Sequence, residues 1–230
     1  LDIEESEKLA GDLTRRYGQK CLAIPCDVSD PASVRSMADE VAGQFGDIHV
    51  LHNNAASKSS DLEAFFAPFE EYTLDQWREV AKVNIDGMFL VAQAIGKKMV
   101  EQNKGGSIVQ TASIYGVLGP DSRIYEGSSY MGHSINTPAV YSVSKAAVIG
   151  LTKYLATYWA DKNIRVNCIT PGGVESGQND VFKEKYSSRV PLGRMAQPEE
   201  MVGALLYLAS NASSYVTGQN IIIDGGWSAW

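Results

Sequence analysis

Two residues four positions apart, Tyr141 and Lys145, form the pair in this sequence best suited to proton transfer. At the start of a helix, this spacing places both side chains on one face. A tyrosine with a pKa of about 10 is a weak acid–base group at neutral pH. A neighbouring ammonium group favours the phenolate and lowers that pKa, so the pair could exchange a proton with a carbonyl or an alcohol. The spacing alone also fits an exposed Tyr and Lys on an ordinary amphipathic helix.

Two polar residues elsewhere qualify as partners of this pair. Ser113 follows the apolar segment 107–111, so its hydroxyl is expected in the same crevice, with an ordinary turn serine as the alternative. Asn84 lies within a helical segment, where asparagine is unfavourable. It indicates either a kink that binds a water molecule for a proton relay or a side chain that faces solvent.

The segments that must position these residues alternate between strand and helix patterns. Strands are predicted at 21–27, 49–53, 107–111, 164–169 and 219–224. Helices are predicted at 3–17, from 31 to 45 with Asp30 as the N-cap, from about 74 to 104, and at 140–161 and 198–210. This order predicts one α/β domain over 1–230, a Rossmann-like doubly wound parallel sheet with functional residues beyond the carboxyl ends of its strands.

Composition excludes several classes of protein. The chain has 230 residues, of which 44% are hydrophobic and 20% are charged. That is enough for one full core. A net charge of −7 argues against a nucleic-acid partner. No apolar run reaches the length of a membrane span, which needs roughly 18 residues. The acidic, amphipathic start at 1–20 is unlike a signal peptide. Three cysteines without metal-ligand spacing predict no metal and a cytoplasmic location.

A series of short motifs runs through the chain in a fixed order. They are Cys26-Asp27-Val28, Asn53-Asn54-Ala55-Ala56, Val83-Asn84-Ile85-Asp86-Gly87, Gly106-Ser107-Ile108-Val109 with Ser113, Tyr141-Ser142-Val143-Ser144-Lys145, Ile164-Arg165-Val166-Asn167, Pro171-Gly172-Gly173-Val174, Pro191-Leu192-Gly193-Arg194, Gly218-Gln219 and Asp224-Gly225-Gly226. With these motifs the chain resembles the short-chain dehydrogenase/reductase family from end to end.

This resemblance implies roles for individual residues. Tyr141 would be the acid–base residue, and Lys145 would lower its pKa and hold the nicotinamide ribose. Ser113 would bind the substrate oxygen, and Asn84 would anchor the relay water. The residues implied to bind the cofactor are Asp27 and Val28 at the adenine, Asn53 and Ala55 on the adenosine side, Tyr141 and Lys145, and Pro171, Gly172, Val174 and Ser176 at the nicotinamide.

The sequence departs from the family pattern at its start. The glycine-rich phosphate loop is absent, with the strand before it and the helix after it. By comparison with a βαβ unit, we expect a missing stretch on the order of 30 residues or slightly more. Asp2 falls where an acid would accept hydrogen bonds from the adenosine ribose. It favours NAD over NADP, because a 2′-phosphate would meet like charge. Asp2 also fits a helix cap, and the two roles are compatible.

A second departure is the segment 117–139, which separates Ser113 from Tyr141 by 28 positions where relatives have about a dozen. This polar segment favours a polyhydroxylated or anionic substrate, with Arg123 as a carboxylate or phosphate partner and Tyr125 beside it. The alternative is a segment that packs only on a neighbouring subunit or on its own core. The run from Ser113 to Gly127 is similar to a subgroup associated with surface-glycan and flagellin-sugar modification.

The segment 175–195 is expected to form a mobile lid, with Gln178 as a substrate contact. Trp227 and Trp230 are expected to contact another subunit of a homotetramer or homodimer. The sequence thus predicts an NAD-dependent oxidoreductase that interconverts an alcohol and a ketone on a sugar-like substrate. The alternatives are an enzyme for apolar steroid or acyl ketones, and a non-catalytic scaffold without the phosphate loop.

Overall fold

A single parallel sheet of four strands organises the computed structural model, which describes residues 3–230. The strands, in the order β1-β2-β5-β6 across the sheet, are β1 Val50–Asn53, β2 Gly106–Thr111, β5 Ile164–Pro171 and β6 Asn220–Ile223. At the centre of the sheet, Ile108 of β2 pairs with Leu51 of β1 on one side and with Val166 of β5 on the other. β-branched side chains dominate these strands because they pack well on a pleated surface.

Helices cover both faces of the sheet. They are α1 Ile3–Tyr17, α2 Pro31–Phe45, α3 Leu62–Phe65, α4 Leu74–Ala81, α5 Met88–Gln102, α6 Ala139–Tyr158, α7 Asp180–Ser187 and α8 Val202–Ala209. Ile108 packs with residues of α2, α5 and α6, whereas its neighbour Val109 packs with Leu208 of α8 on the opposite face. Successive strand residues point to opposite faces, so this arrangement confirms the predicted doubly wound α/β fold.

The helix that begins at Pro31 has the predicted cap. The Asp30 carboxylate accepts hydrogen bonds from the backbone N–H groups of Ala32 and Ser33, both at 3.1 Å. Pro31 suits the first position because its missing N–H would have had no helical partner. The expected N-cap is therefore confirmed.

The long helix predicted from about 74 to 104 is three segments. Between α4 and α5, residues Lys82–Gly87 form a π-helical turn that contains Asn84. Gly87 is required there, because a Cβ would lie 2.9 Å from Cγ2 of Val28. This distortion confirms the predicted kink at Asn84, and π-turns inside helices occur frequently at functional sites.

The strand predicted at 21–27 is wrong, because the segment has no regular secondary structure. A strand is stabilised by ladder hydrogen bonds to a neighbour, and no strand within residues 3–230 lies beside this segment. Cys26 is nonetheless partly buried and packs against the core around α2 and α5, whereas Leu22 is exposed. Asp2 lies outside the described residues.

The segment 117–139 folds onto the segment 175–195. It forms a 3-10 turn, Ser122–Tyr125, and a small hairpin of β3 Ser129–Tyr130 and β4 His133–Ser134. Both segments contribute to one buried group, here called the lid core, which consists of Ile124, Phe182, Tyr186, Val190, Met195 and Trp227. Ile124 of this segment therefore packs on the chain's own core, while other residues of the segment, among them Tyr125 and Tyr130, line a cleft. Trp227 is buried within the chain, with its ring 4.5 Å from that of Tyr186, whereas Trp230 is exposed, and the subunit contact of both residues stays a prediction.

Within residues 3–230, none of the helices combines the length and apolar character needed to cross a membrane.

Candidate active site

Ser113, Tyr141 and Lys145 meet beyond the carboxyl end of β2. Ser113 follows that strand and begins a 3-10 turn, Ile114–Gly116, while Tyr141 and Lys145 lie in the first two turns of α6. The Ser113 hydroxyl lies close enough to the Tyr141 phenol to lower its pKa. The buried Lys145 donates from Nζ to the backbone oxygen of Thr111 at 3.0 Å. The structure thus brings together three residues that are up to 32 positions apart in the chain.

A close approach at Gly116 sets the distance between the serine turn and α6. A Cβ on Gly116 would lie 2.6 Å from the backbone carbon of Lys145 and 2.8 Å from the nitrogen of Ala146. Only a residue without a side chain permits this contact. The turn that carries Ser113 therefore rests directly on the part of α6 that carries Lys145.

Burial shifts the pKa values of Tyr141 and Lys145 in opposite directions. It raises the pKa of Tyr141 above its ordinary value, an effect that the nearby Ser113 hydroxyl partly offsets. It lowers the pKa of Lys145 to about 8. The Lys145 ammonium lies 5.8 Å from the centre of the Tyr141 ring, and burial outweighs the lowering of the Tyr141 pKa expected from this charge. At neutral pH Tyr141 therefore carries its proton and can act as an acid.

Asn84 is buried, so the solvent-facing alternative is wrong. Its Oδ1 accepts a hydrogen bond from the backbone N–H of Ser57 at 2.7 Å, and its Nδ2 donates to the Ser57 carbonyl at 3.1 Å. These two bonds attach the π-turn to the loop that follows β1. The relay water remains a prediction.

A cleft of about 280 Å³ opens beside Tyr141. We call it the substrate cleft, and its lining consists of Lys58, Phe65, Phe66, Tyr125, Tyr130, Ile135, Asn136, Thr137, Pro138, Tyr141, Ser176, Gln178 and Phe182. Both Tyr125 and Gln178, predicted as substrate contacts, lie in this lining. Arg123 does not reach it, because Asp121 binds its guanidinium through Nε at 2.8 Å and through a second nitrogen at 2.9 Å.

A chain of hydroxyl groups lies behind the cleft and was not predicted. Tyr125 donates to the Tyr115 oxygen at 2.9 Å, and its own oxygen lies 2.6 Å from Oγ1 of Thr137. Burial raises the pKa of both tyrosines. The sequence places Tyr115 after β2 and Tyr125 in the inserted segment, but no spacing rule predicts that their hydroxyls meet.

Two of the predicted cofactor residues, Asn53 and Ala55, lie at the carboxyl end of β1. Asn53 ends β1, and its Nδ2 donates to the Met88 carbonyl at 2.8 Å, which fixes the strand end against α5. Ala55 is exposed just beyond it. Asp27 and Val28 lie in the loop before α2, where the Asp27 carboxylate accepts from both the N–H and the hydroxyl of Ser29. These bonds lower the pKa of Asp27.

The residues predicted to contact the nicotinamide lie at the base of the segment 175–195. Pro171 ends β5, and Gly172 donates to the carbonyl of Ile223 at 2.9 Å. Val174 forms a β-bridge with Ala196, so the two ends of the segment meet. Gln178 bridges back to the Val174 carbonyl at 3.0 Å and the Ser176 hydroxyl at 3.0 Å.

The groups present fit the nicotinamide-ribose half of a dinucleotide. The Lys145 ammonium has three N–H donors, and among residues 3–230 only the Thr111 carbonyl accepts one of them. The remaining donors suit ribose hydroxyls. For the pyrophosphate, the sequence contains no Gly-x-Gly pattern, and residues 3–230 include no glycine-rich turn that joins a strand directly to an α-helix.

The doubly wound sheet, with a neighbouring Ser and Tyr and a buried Lys at its carboxyl edge, defines a dinucleotide-dependent oxidoreductase. A family model described as enoyl-(acyl carrier protein) reductase matches residues 1–228. The chain belongs to the short-chain dehydrogenase/reductase family.

Several relatives of known identity support this assignment. D-threitol dehydrogenase of Mycolicibacterium smegmatis is 34% identical over 237 residues, which cover 99% of this chain and 81% of that protein. NADP-dependent mannitol dehydrogenase of Alternaria alternata is 36% identical over 231 residues, 97% of this chain and 78% of that protein. A solved short chain dehydrogenase from Leptospira borgpetersenii with bound NAD+ has a TM-score of 0.78 and 38% identity, and covers 88% of this chain and 74% of that one.

Proposed function

We propose that this protein interconverts a secondary alcohol and a ketone on a polyhydroxylated, sugar-like substrate, with a nicotinamide cofactor as the hydride carrier. The observation that carries this proposal is the Tyr141 phenol, whose pKa the nearby Ser113 hydroxyl lowers and which lines a cleft that also presents hydroxyl and amide groups. The named functions of D-threitol and mannitol dehydrogenases support the same substrate class.

Each residue of the site has a role in this reaction. Tyr141 gives its proton to the ketone oxygen, or accepts one from the alcohol, while Ser113 holds that oxygen by a hydrogen bond. Lys145 binds the nicotinamide ribose with the donors that Thr111 leaves free, and its charge stabilises the phenolate formed in the transfer. The cofactor supplies or accepts the hydride. Asn84 anchors a water molecule through which the proton reaches solvent.

For the cofactor we propose NAD, held by Asp27, Val28, Asn53 and Ala55 on the adenosine side and by 171–176 on the nicotinamide side. The support is the acidic residue Asp2, predicted from the sequence to meet the adenosine ribose, since a carboxylate there disfavours a 2′-phosphate. The Leptospira relative contains NAD+, whereas the mannitol dehydrogenase relative is named as NADP-dependent. Turnover with each cofactor at equal concentration tests this choice.

We further propose that the protein acts as a homo-oligomer, a tetramer or a dimer. The support is a row of aromatic side chains on the outer faces of α5 and α6, where Phe89, Tyr154 and Tyr158 are exposed. Exposed aromatic patches of this kind are typical of protein interfaces.

Tyr141→Phe tests the reaction. We expect kcat to fall by about 10²–10⁴-fold, since the variant lacks the acid–base proton but keeps the ring. Cofactor affinity, measured by NADH fluorescence, should change little. Tyr215→Phe, at a fully exposed position outside the cleft, is the matched control and should retain wild-type turnover. Wild-type kcat in the Tyr141 variant would refute the proposal.

A second candidate is an apolar ketone, such as a steroid or acyl substrate. It is favoured by the aromatic wall of the substrate cleft, where Phe65, Phe66 and Phe182 are grouped. A panel of polyols, sugar acids and apolar ketones separates the two candidates. If the panel yields no turnover and NADH does not bind, the non-catalytic scaffold is the correct interpretation.

A further inference from the structure

One charged side chain lines the substrate cleft among the residues that the structure describes, and it is Lys58. Its Nζ lies 4.2 Å from the centre of the Tyr130 ring, which belongs to the inserted hairpin. The cleft lining contains no carboxylate within the described chain. Lys58 thus presents a positive charge to whatever molecule occupies the space in front of Tyr141.

The backbone on both sides of Lys58 is fixed. On one side, the Asn84 amide binds both the N–H and the carbonyl of Ser57. On the other, the Glu79 carboxylate accepts from the Ser59 hydroxyl at 2.9 Å and from the Ser60 N–H at 3.1 Å. Four hydrogen bonds to the side chains of Asn84 and Glu79 therefore fix the position of the Lys58 backbone.

Apart from Lys145, whose free donors are assigned to the cofactor ribose, Arg123 and Lys183 near the cleft are paired with carboxylates, whereas no ion pair of Lys58 is found among residues 3–230. Arg123 binds Asp121 in bidentate fashion, and Lys183 lies 3.8 Å from Glu175. Within residues 3–230, the ammonium of Lys58 contacts only the face of an aromatic ring, in a cation–π arrangement that orients it without neutralising it. Such an ammonium group retains its affinity for an anion.

We propose that Lys58 binds an anionic group of the substrate, so that the substrate is a polyhydroxy acid or its phosphorylated counterpart rather than a neutral polyol. This inference rests on the proposed function, because it concerns the same cleft. The anion would lie at the end of the substrate remote from the carbon that reacts at Tyr141. A lysine acts here as a point charge, so carboxylate and phosphate share the required chemistry.

Two matched pairs of substrates test the inference: D-gluconate against D-glucitol, and D-glucitol 6-phosphate against D-glucitol. The wild-type protein should prefer the anionic member of at least one pair in kcat/KM, and the pair that shows the preference identifies the anion. In Lys58→Met this selectivity ratio should fall about three- to tenfold, as for the loss of a partly exposed charge pair. Lys58→Arg should restore most of the ratio, because it restores the charge.

Lys20→Met is the matched control. Lys20 also lies over an aromatic ring, 5.2 Å from the centre of Phe45, but outside the cleft. This variant makes the same change in net charge and should leave the selectivity ratio unchanged. Increasing ionic strength should reduce the ratio in the wild-type protein and have little effect in Lys58→Met.

The experiment separates failure of the inference from failure of the proposed function. Equal kcat/KM for both members of each pair, or equal losses for both in Lys58→Met, would overturn the role of Lys58 while the oxidoreductase activity stands. If no member turns over, the same ratios are measured as dissociation constants. A Lys58-dependent preference for the anion in binding then supports the inference even though the proposed reaction has failed. Absence of that preference overturns it.

Discussion

The close approach of Gly116 to α6 makes Gly116→Ala a sharp test of how the active site is held. The added Cβ would lie 2.6 Å from the nearest backbone atom of Lys145 and 2.8 Å from the nitrogen of Ala146. Ordinary carbon contact begins at about 3.5 Å. Backbone atoms inside a helix cannot move aside as a flexible side chain can. The turn must therefore retreat from α6 by about 1 Å to restore that separation, and it carries Ser113 away from Tyr141.

We expect Gly116→Ala to reduce both the stability of the fold and kcat, by different amounts. Overpacking of this kind costs about 1–3 kcal/mol of unfolding free energy, or a fall in Tm of several degrees for a chain of this length. Displacing a positioned group by about 1 Å costs about 10²-fold in kcat. Gly119→Ala is the control, because that position has a negative φ and open space around it, and both quantities should stay near wild type. A Gly116→Ala protein with wild-type kcat and Tm would show that the turn is not held by this contact.

Two further predictions follow from buried polar groups. Because burial lowers the pKa of Lys145 to about 8, the unfolded chain binds more protons above that pH, and stability rises with pH. Lys145→Met should remove about 2 kcal/mol of the rise between about pH 7 and 9.5, measured by denaturant titration, and an identical pH slope in both proteins would contradict the burial argument. Tyr186→Phe removes the hydrogen bond that the Gly173 N–H donates to the phenol oxygen, and it should cost about 1 kcal/mol in thermal unfolding. The fully exposed Tyr215→Phe should cost nothing, and equal Tm values for the two variants would dismiss a structural role for the Tyr186 hydroxyl.

The sequence was informative where local pattern and tertiary contact agree. The strands at 107–111 and 164–169 are apolar and flanked by turns, and they form the centre of the sheet with small changes in their ends. The segment 21–27 has the same apolar character but forms no strand, because pairing depends on a neighbour and not on composition. Asn84 indicated a distortion correctly, since its poor helix propensity is a local property.

The candidate site was predictable only in part for the same reason. Tyr141, Lys145 and Ser113 belong to motifs, and the structure brings them together. The prediction that Arg123 contacts the substrate was wrong, because its guanidinium is paired with Asp121, two residues away. Lys58 was missed because nothing in its spacing relates it to Tyr130, and only the folded hairpin brings that ring over its ammonium group.

The lid core has a consequence for how a substrate enters. Ile124 from the insertion and Phe182 and Tyr186 from α7 share one buried cluster, so separating the two segments exposes apolar surface from both. They should open as one cooperative unit, with similar amide-exchange protection across both segments. We therefore expect the segments 117–139 and 175–195 to move together when the cleft opens, with the β-bridge between Val174 and Ala196 as the pivot.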